Sequence, residues 1–123
     1  MPTFGELAQN GAIAILEETL LILQKRGWTP GVHRNMVTGE VDIIGAMGIA
    51  SGVTVSQIDD SFGVPSELIP QAKRPAVFVA LEASEWAVDC DLTAWQDQIG
   101  RSFTDVEKAL QKAIDHLGIV ASS

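Results

Sequence analysis

The sequence predicts a mainly α fold, a small orthogonal bundle of four or five helices carrying one short β-hairpin. Three observations predict it. Apolar residues recur at three- and four-residue steps near both ends of the chain, the spacing that lines one side of a helix. Ser, Thr or Asp opens most of these runs and Gly closes them, which is the chemistry of helix caps. One pair of β-rich runs, 32–37 and 41–44, flanks Thr38-Gly39, where glycine can take the positive φ of a tight turn.

Thr3 and Glu6 have capping-box spacing, each side chain answering a free amide at a helix start. Leu7, Ile13, Leu16, Leu20 and Leu23 then form a stripe that Ile15 and Ile22 widen, so this helix is expected to be central. Lys25 and Arg26 suit its C-terminal dipole and Gly27 supplies the stop. Trp28 is expected to pack back on the helix end, and Thr29-Pro30-Gly31 to turn the chain. A lone two-stranded ribbon is marginal, so the hairpin that follows must pack on helices. The uncharged run 43–50 contains Gly45, Ala46, Gly48 and Ala50, which predicts a buried helix that neighbouring backbone approaches closely, ended by Ser51-Gly52.

Residues 53–76 hold three of the five prolines and are the least regular part. Ser56 with Asp59 is expected to cap a short helix closed by Gly63, and Pro65 and Pro70 leave room for one brief turn. A longer helix is expected from Pro75 to about Asp89, its apolar content supplied by Val77, Phe78, Leu81, Trp86 and Val88. Asp91 can cap a short helix through Gln98, closed by Gly100. Ser102 with Asp105 forms an acidic capping box for the last helix, whose stripe is Val106, Leu110, Ala113, Ile114 and Leu117. Gly118 is expected to stop it, leaving Ser122 and Ser123 frayed. No repeat or linker divides the chain, so residues 1–123 are expected to form one domain.

Composition narrows the function classes. Among 123 residues, 16 acids against 8 bases give a net charge of −8, which argues against a nucleic-acid binder. One cysteine excludes an internal disulfide framework and a multi-Cys zinc site. The first ten residues lack the basic start of a secretory signal, and the most apolar stretch, 11–23, is interrupted by Glu17 and Glu18. A cytoplasmic protein with no membrane association is expected. Mean hydropathy of +0.20 is high for so small a chain, which suggests apolar surface covered by a partner or a second copy in a homo-oligomer.

Five patterns bear on chemistry. Residues 54–69 scan like helix-turn-helix, but Asp59 stands where that motif wants a small apolar residue, and Pro70 interrupts the second helix. Glu82, Glu85, Asp89, Asp91 and Asp97 run without a base between them, and the span 59–100 holds eight acids against two bases. EF-hand spacing is absent, so a solvated helix face is the plain reading, and docking of a basic protein surface by Glu82, Glu85 and Asp89 is the functional one. Cys90 sits between two carboxylates that oppose a thiolate, so it is expected to be buried or inert. His116 is explained by a helix C-terminus, whereas His33 beside Arg34 is open to other roles. The glycines at 45, 48 and 52 match no phosphate-binding loop, and neither a cofactor nor a metal is implied. Finally, Trp95 to Ser102 gathers an aromatic ring, Asp97, Arg101 and a helix start. Asp97 and Arg101 could pair across Gly100, or Arg101 and the free amides could receive an anion.

The runs Arg26-Gly27-Trp28-Thr29-Pro30-Gly31, Ile43-Ile44-Gly45-Ala46, and Trp95-Gln96-Asp97 with Gly100-Arg101-Ser102 resemble, in that order, a family of small bacterial and phage proteins of unknown function. Gln96 replaces the family's usual Asn, Ser102 its usual Thr, and Asp42 stands where a Cys commonly precedes the apolar-Gly-Ala run. The resemblance supports the helix–hairpin–helix order and implies no activity. Two functions are therefore expected. The first is a non-enzymatic interaction or regulatory protein, phage-associated, that docks a basic partner through its acidic side. The alternative is an enzyme or small-ligand binder with a pocket built from Trp28, His33, Trp95, Asp97 and Arg101.

Overall fold

A computed structural model describes residues 3–122. The Thr3 hydroxyl accepts the Glu6 amide at 3.1 Å and opens α1 (Phe4–Arg26), which ends at Gly27 with φ 91°. Its buried side is Ala12, Ile15, Leu16, Thr19, Ile22 and Leu23. Leu7, expected in that stripe, is exposed. Nine residues at 3.6 per turn carry it about half-way round the helix from Leu16. Thr19 tolerates full burial because its hydroxyl donates to the Ile15 carbonyl at 2.7 Å.

The expected hairpin is reduced to a turn. Asn35 Oδ1 accepts the amides of Val37 and Thr38, and Gly39 takes φ 81°, so the chain reverses where Thr38-Gly39 predicts. Its flanks form no strand among the described residues, only isolated bridges from Val41 to Trp28 and to Arg34. Ile43 and Ile44, expected in the second strand, are helical instead. The Asp42 side chain accepts the Gly45 amide at 2.7 Å, and that cap starts α2 (Ile43–Ala50) directly after Val41.

Thr54 and Gln57 close a full capping box on α3 (Val55–Ser61), two residues earlier than the expected Ser56–Asp59 cap. The Asp59 carboxylate is engaged elsewhere, by Arg34. Two single 3₁₀ turns, Ser66–Leu68 and Gln71–Lys73, occupy the proline-rich stretch. The second helix of a helix-turn-helix is therefore not formed. Pro75 lies in the first turn of α4 (Arg74–Val88), and Asp89 ends it at φ 57°.

The inner side of α4 is small: Ala76, Ala80, Ala83 and Ser84 are buried, while Phe78 and Trp86 point outward at 62% and 51% exposure. Close approach of α1 explains the inversion. A Cβ added at Gly11 of α1 would come within 3.0 Å of the Ala76 methyl, so only small side chains fit this seam.

Asp91 caps α5 (Leu92–Gln96), which is shorter than expected and ends at Asp97. Ser102 and Asp105 exchange both capping-box bonds at the start of α6 (Phe103–Ser122). This helix runs through Gly118, which keeps ordinary helical backbone, so Gly118 is not a stop and His116 is not in the last turn. Ser122 is helical and Ser123 lies outside the described residues. The six helices of the described residues exceed the four or five expected.

The main core lies where α1 packs on α2, α4 and α6, with Leu16, Leu23, Ile43, Leu92 and Leu110 fully enclosed. Val53, Ile58 and Ile69 make a small satellite cluster that holds α3 beside it. No helix of the described residues is long and apolar enough to cross a membrane.

Candidate functional site

Two places on this frame carry unusual chemistry. The first is a buried polar knot where the 28–42 loop meets α2 and α5. Asp42 is only 2% exposed, and its carboxylate accepts three hydrogen bonds. Gly45 N–H reaches Oδ1 at 2.7 Å, while His33 Nδ1 and Gln96 Nε2 each donate to Oδ2 at 2.9 Å. Gln96 is fully buried, and its Oε1 accepts the Ile43 amide at 3.1 Å and the Trp28 indole at 3.4 Å. A buried carboxylate is costly unless each lone-pair direction is answered, and here the α2 cap, an imidazole and an amide answer it.

The knot fixes the His33 ring. With Nδ1–H committed to Asp42, no protein atom of the described residues hydrogen-bonds Nε2. That hydrogen bond raises the His33 pKa above its usual 6.5, opposed by partial burial and reinforced by the charges of Asp42 and Asp97. The close approach predicted for Gly45 is confirmed. A Cβ there would lie 2.0 Å from the His33 carbonyl oxygen, so the glycine lets the loop rest on α2.

His33 and Asp42 line a cleft of about 360 Å³ between the loop, α3 and α5. Val32, Met36, Ile58 and Phe62 give it apolar walls, and Thr93 and Asp97 reach it from the α5 side. Arg34 forms a 2.6 Å ion pair with Asp59 across the cleft wall. Arg34 Nε and Asp59 Oδ1 remain buried there without a hydrogen-bond partner.

The five pocket residues expected from sequence divide into three groups. His33 and Asp97 line the cleft. Trp28 lies behind it, half-buried against the core and bonded to Gln96. Trp95 and Arg101 form a separate unit: the guanidinium sits 4.1 Å from the centre of the Trp95 ring and donates to the Trp95 carbonyl and to Gln98. The expected Asp97–Arg101 pair is not made, because Asp97 Oδ1 accepts the Gly31 amide at 2.9 Å instead. Asp97 therefore ties the loop to α5, and Arg101 reaches back across the turn at Gly100 to Trp95 and Gln98.

Asp42, Gln96, Arg34 and Asp59 were not among the sequence candidates. Asp42 had a signal, an Asp directly before an apolar helical run, which is cap spacing. Gln96 had only its place in the Trp95-Gln96-Asp97 run, because its partners lie more than fifty residues away.

The second place is the outer side of α4. Phe78, Glu82, Trp86 and Asp89 are all exposed and follow one another at helical spacing. Trp86 stacks on His116 of α6 with ring centres 3.8 Å apart, and Lys112 lies 5.2 Å from the Trp86 ring centre. Glu85 is half-buried and accepts the Leu92 amide at 3.0 Å, joining α4 to α5. Cys90 is exposed rather than buried, since it falls in the α4–α5 connection just beyond the Asp89 stop. No group of three or more His, Cys, Asp or Glu among the described residues could hold a metal ion.

No curated protein and no solved structure matches the chain. A profile for a family of unknown function does match it, over residues 8–116. That span contains all three motif runs, which bring the Trp28 indole, the Ile43 and Gly45 amides and the Gln96 side chain to the knot around Asp42. The chain belongs to the family of unknown function DUF6197.

Proposed function

We propose that this protein is a non-enzymatic recognition module that docks a basic protein partner through the outer face of α4. One observation carries the reading: α4 turns Phe78 and Trp86 outward and places Glu82 and Asp89 beside them. Exposed aromatics are the anchors that dominate protein interfaces, and surrounding carboxylates steer an oppositely charged surface. Trp86 is stacked on His116, so holding it in a complex costs little further ordering. Phe78 also borders an apolar groove of about 320 Å³ with Ile44, Met47, Val64, Val77 and Leu81 on its walls. The net charge of −8 selects a basic partner over an acidic one. The resemblance of its motif runs to bacterial and phage proteins favours a cytoplasmic, phage-associated setting, with a second copy of the chain as a competitor for the same apolar anchors.

The test is capture by the tagged chain at low and high salt, compared between wild type, F78A/W86A and E82K/D89K. A basic protein held at low salt, released at high salt and lost by both variants is the expected result. Retention at high salt, or by the charge-reversed variant, overturns the reading. The unfolding midpoint of each variant is measured alongside, because Trp86 stacks on His116 and Asp89 ends α4 at φ 57°.

A further inference from the structure

The groove beside Phe78 has an interior and a cation that docking through the α4 face does not use. Ile44 and Met47 line it from α2, Val77 and Leu81 from α4, and Val64 and Ile69 from the segment between α3 and α4. A Cβ at Gly48 would lie 2.7 Å from Val64 Cγ1, so the glycine admits Val64 against α2. Ser66 and Arg74 are the polar side chains of the lining. Arg74 is the first residue of α4, and two backbone carbonyls hold its guanidinium. Nε donates to Ile69 at 3.0 Å and Nη2 to Glu67 at 3.3 Å, while Nη1 makes no hydrogen bond among the described residues. Both acceptors are neutral, and no carboxylate pairs with Arg74 among the described residues. Its charge is therefore fixed in place and uncompensated, on a chain whose net charge is −8. No side chain caps α4 and its first turn holds no acid, so the helix dipole adds to that charge.

We infer that the groove binds a free, medium-chain aliphatic carboxylate, its head on the Arg74 guanidinium and its chain along α4 toward Leu81. The terminal N–H fork of a guanidinium matches the two oxygens of a carboxylate. Seven residues of helix separate Arg74 from Leu81, about 10 Å of axis, which the extended chain of octanoate spans. The lining rewards each methylene laid against it, whereas a small anion without a chain forgoes that contact. A cationic head would be repelled by Arg74. A peptide C-terminus fits less well, because its backbone amides would find only Ser66 as a further polar side chain in the groove.

Titration of the full chain with octanoate, followed by NMR through the methyl resonances of Ile44, Met47, Val64, Val77 and Leu81, tests the site. Octanamide carries the same chain without charge, octylammonium carries the opposite charge, and butyrate keeps the head on a shorter chain. Octanoate should shift those methyls and bind about tenfold more tightly than octanamide. Octylammonium should bind more weakly than the amide. Butyrate should bind at least about tenfold more weakly than octanoate, since each buried methylene is worth about fourfold. R74Q removes the cation and S66E sets a carboxylate beside it, so each should bring octanoate down to the affinity of octanamide. Ser66 is exposed, so S66E reads the charge even if R74Q, which also breaks two backbone hydrogen bonds, does not fold. Acetyl-Ala-Leu-Leu with a free C-terminus should bind more weakly than octanoate; tighter binding gives the groove to a peptide end and overturns the proposal. Equal affinity for octanoate and octanamide makes the groove a mere apolar extension of the docking face and overturns it too. Shifts that miss the groove, or a preference for octanoate that survives in both variants, do the same.

Discussion

The two ends of this molecule are held together by opposite means. Where the 28–42 loop meets α2 and α5, a carboxylate and a carboxamide are almost wholly buried and every donor around them converges on Asp42 or Gln96. Where α1 meets α4, the contact is made of Gly11, Ala76, Ala80 and Ala83, and the large aromatic residues of α4 face outward. Apolar packing is nondirectional, so a seam of methyl groups positions helices without specifying any one atom. A satisfied hydrogen-bond knot fixes individual atoms, here the orientation of one imidazole at a cleft. The molecule thus builds its aimed group on the polar end and leaves its broad adhesive face on the helical end.

The sharpest way to break this contrast is to remove the centre of the knot. Asp42→Ala leaves the His33, Gln96 and Gly45 donors without their acceptor and deletes the α2 cap, a loss of about 3 kcal/mol. Chemical denaturation measures it. A loss below about 1 kcal/mol would mean that apolar packing alone holds the loop.

A pair of glycine substitutions sharpens the contrast at the next scale. The methyl of Gly45→Ala meets the His33 backbone carbonyl at 2.0 Å, which must move, and a net cost of about 2 kcal/mol is expected from that overpacking. The methyl of Gly11→Ala meets the Ala76 methyl at 3.0 Å, and gains about 1 kcal/mol of helix propensity that offsets the squeeze. Thermal unfolding should therefore separate the two clearly, with Gly11→Ala close to wild type. Equal losses would show that the α1–α4 seam is as exacting as the knot.

The smallest effect is a pH dependence confined to the polar end. The folded pKa of His33 lies above its ordinary 6.5, chiefly through its hydrogen bond to Asp42. Its stabilisation is therefore complete below about 6.5 and is lost as pH rises through the folded value. The stability difference between wild type and His33→Asn should shrink over that interval, by less than about 1 kcal/mol because the ring is partly in solvent. A difference that grows with pH would reverse the assigned sign.

Much of the fold was legible from local chemistry. Thr3, Asp91 and Ser102 cap the helices they were expected to cap, Pro75 sits in the first turn of α4, and the run 43–50 is the buried helix its composition predicts. The misses have physical reasons. Ser56 and Asp59 have cap spacing, yet Thr54 and Gln57 satisfy the same amides two residues earlier, and Arg34 takes Asp59. Gly118 was read as a stop, but glycine costs a helix interior only about 1 kcal/mol, which packing of Val106, Leu110, Ala113 and Leu117 readily overrides. The candidate site was half legible. His33 and Asp97 were singled out, but their supports, Asp42 and Gln96, belong to elements far apart in the chain.

Most of the helices, the caps at Thr3, Asp91 and Ser102 and the turn at Gly39 follow from neighbours within about four residues. The sequence by itself also determined the acidic character, through residue counts alone. Only the tertiary structure decided which side of α4 faces inward, since the closeness of α1, rather than the hydrophobicity of Phe78 or Trp86, selects alanine for the seam. Only the tertiary structure decided that Asp97 binds Gly31 instead of Arg101, and that Asp42, Gln96 and His33 share one knot. Hydrogen bonds form between atoms about 3 Å apart, and no spacing along the chain reports a distance that folding itself creates.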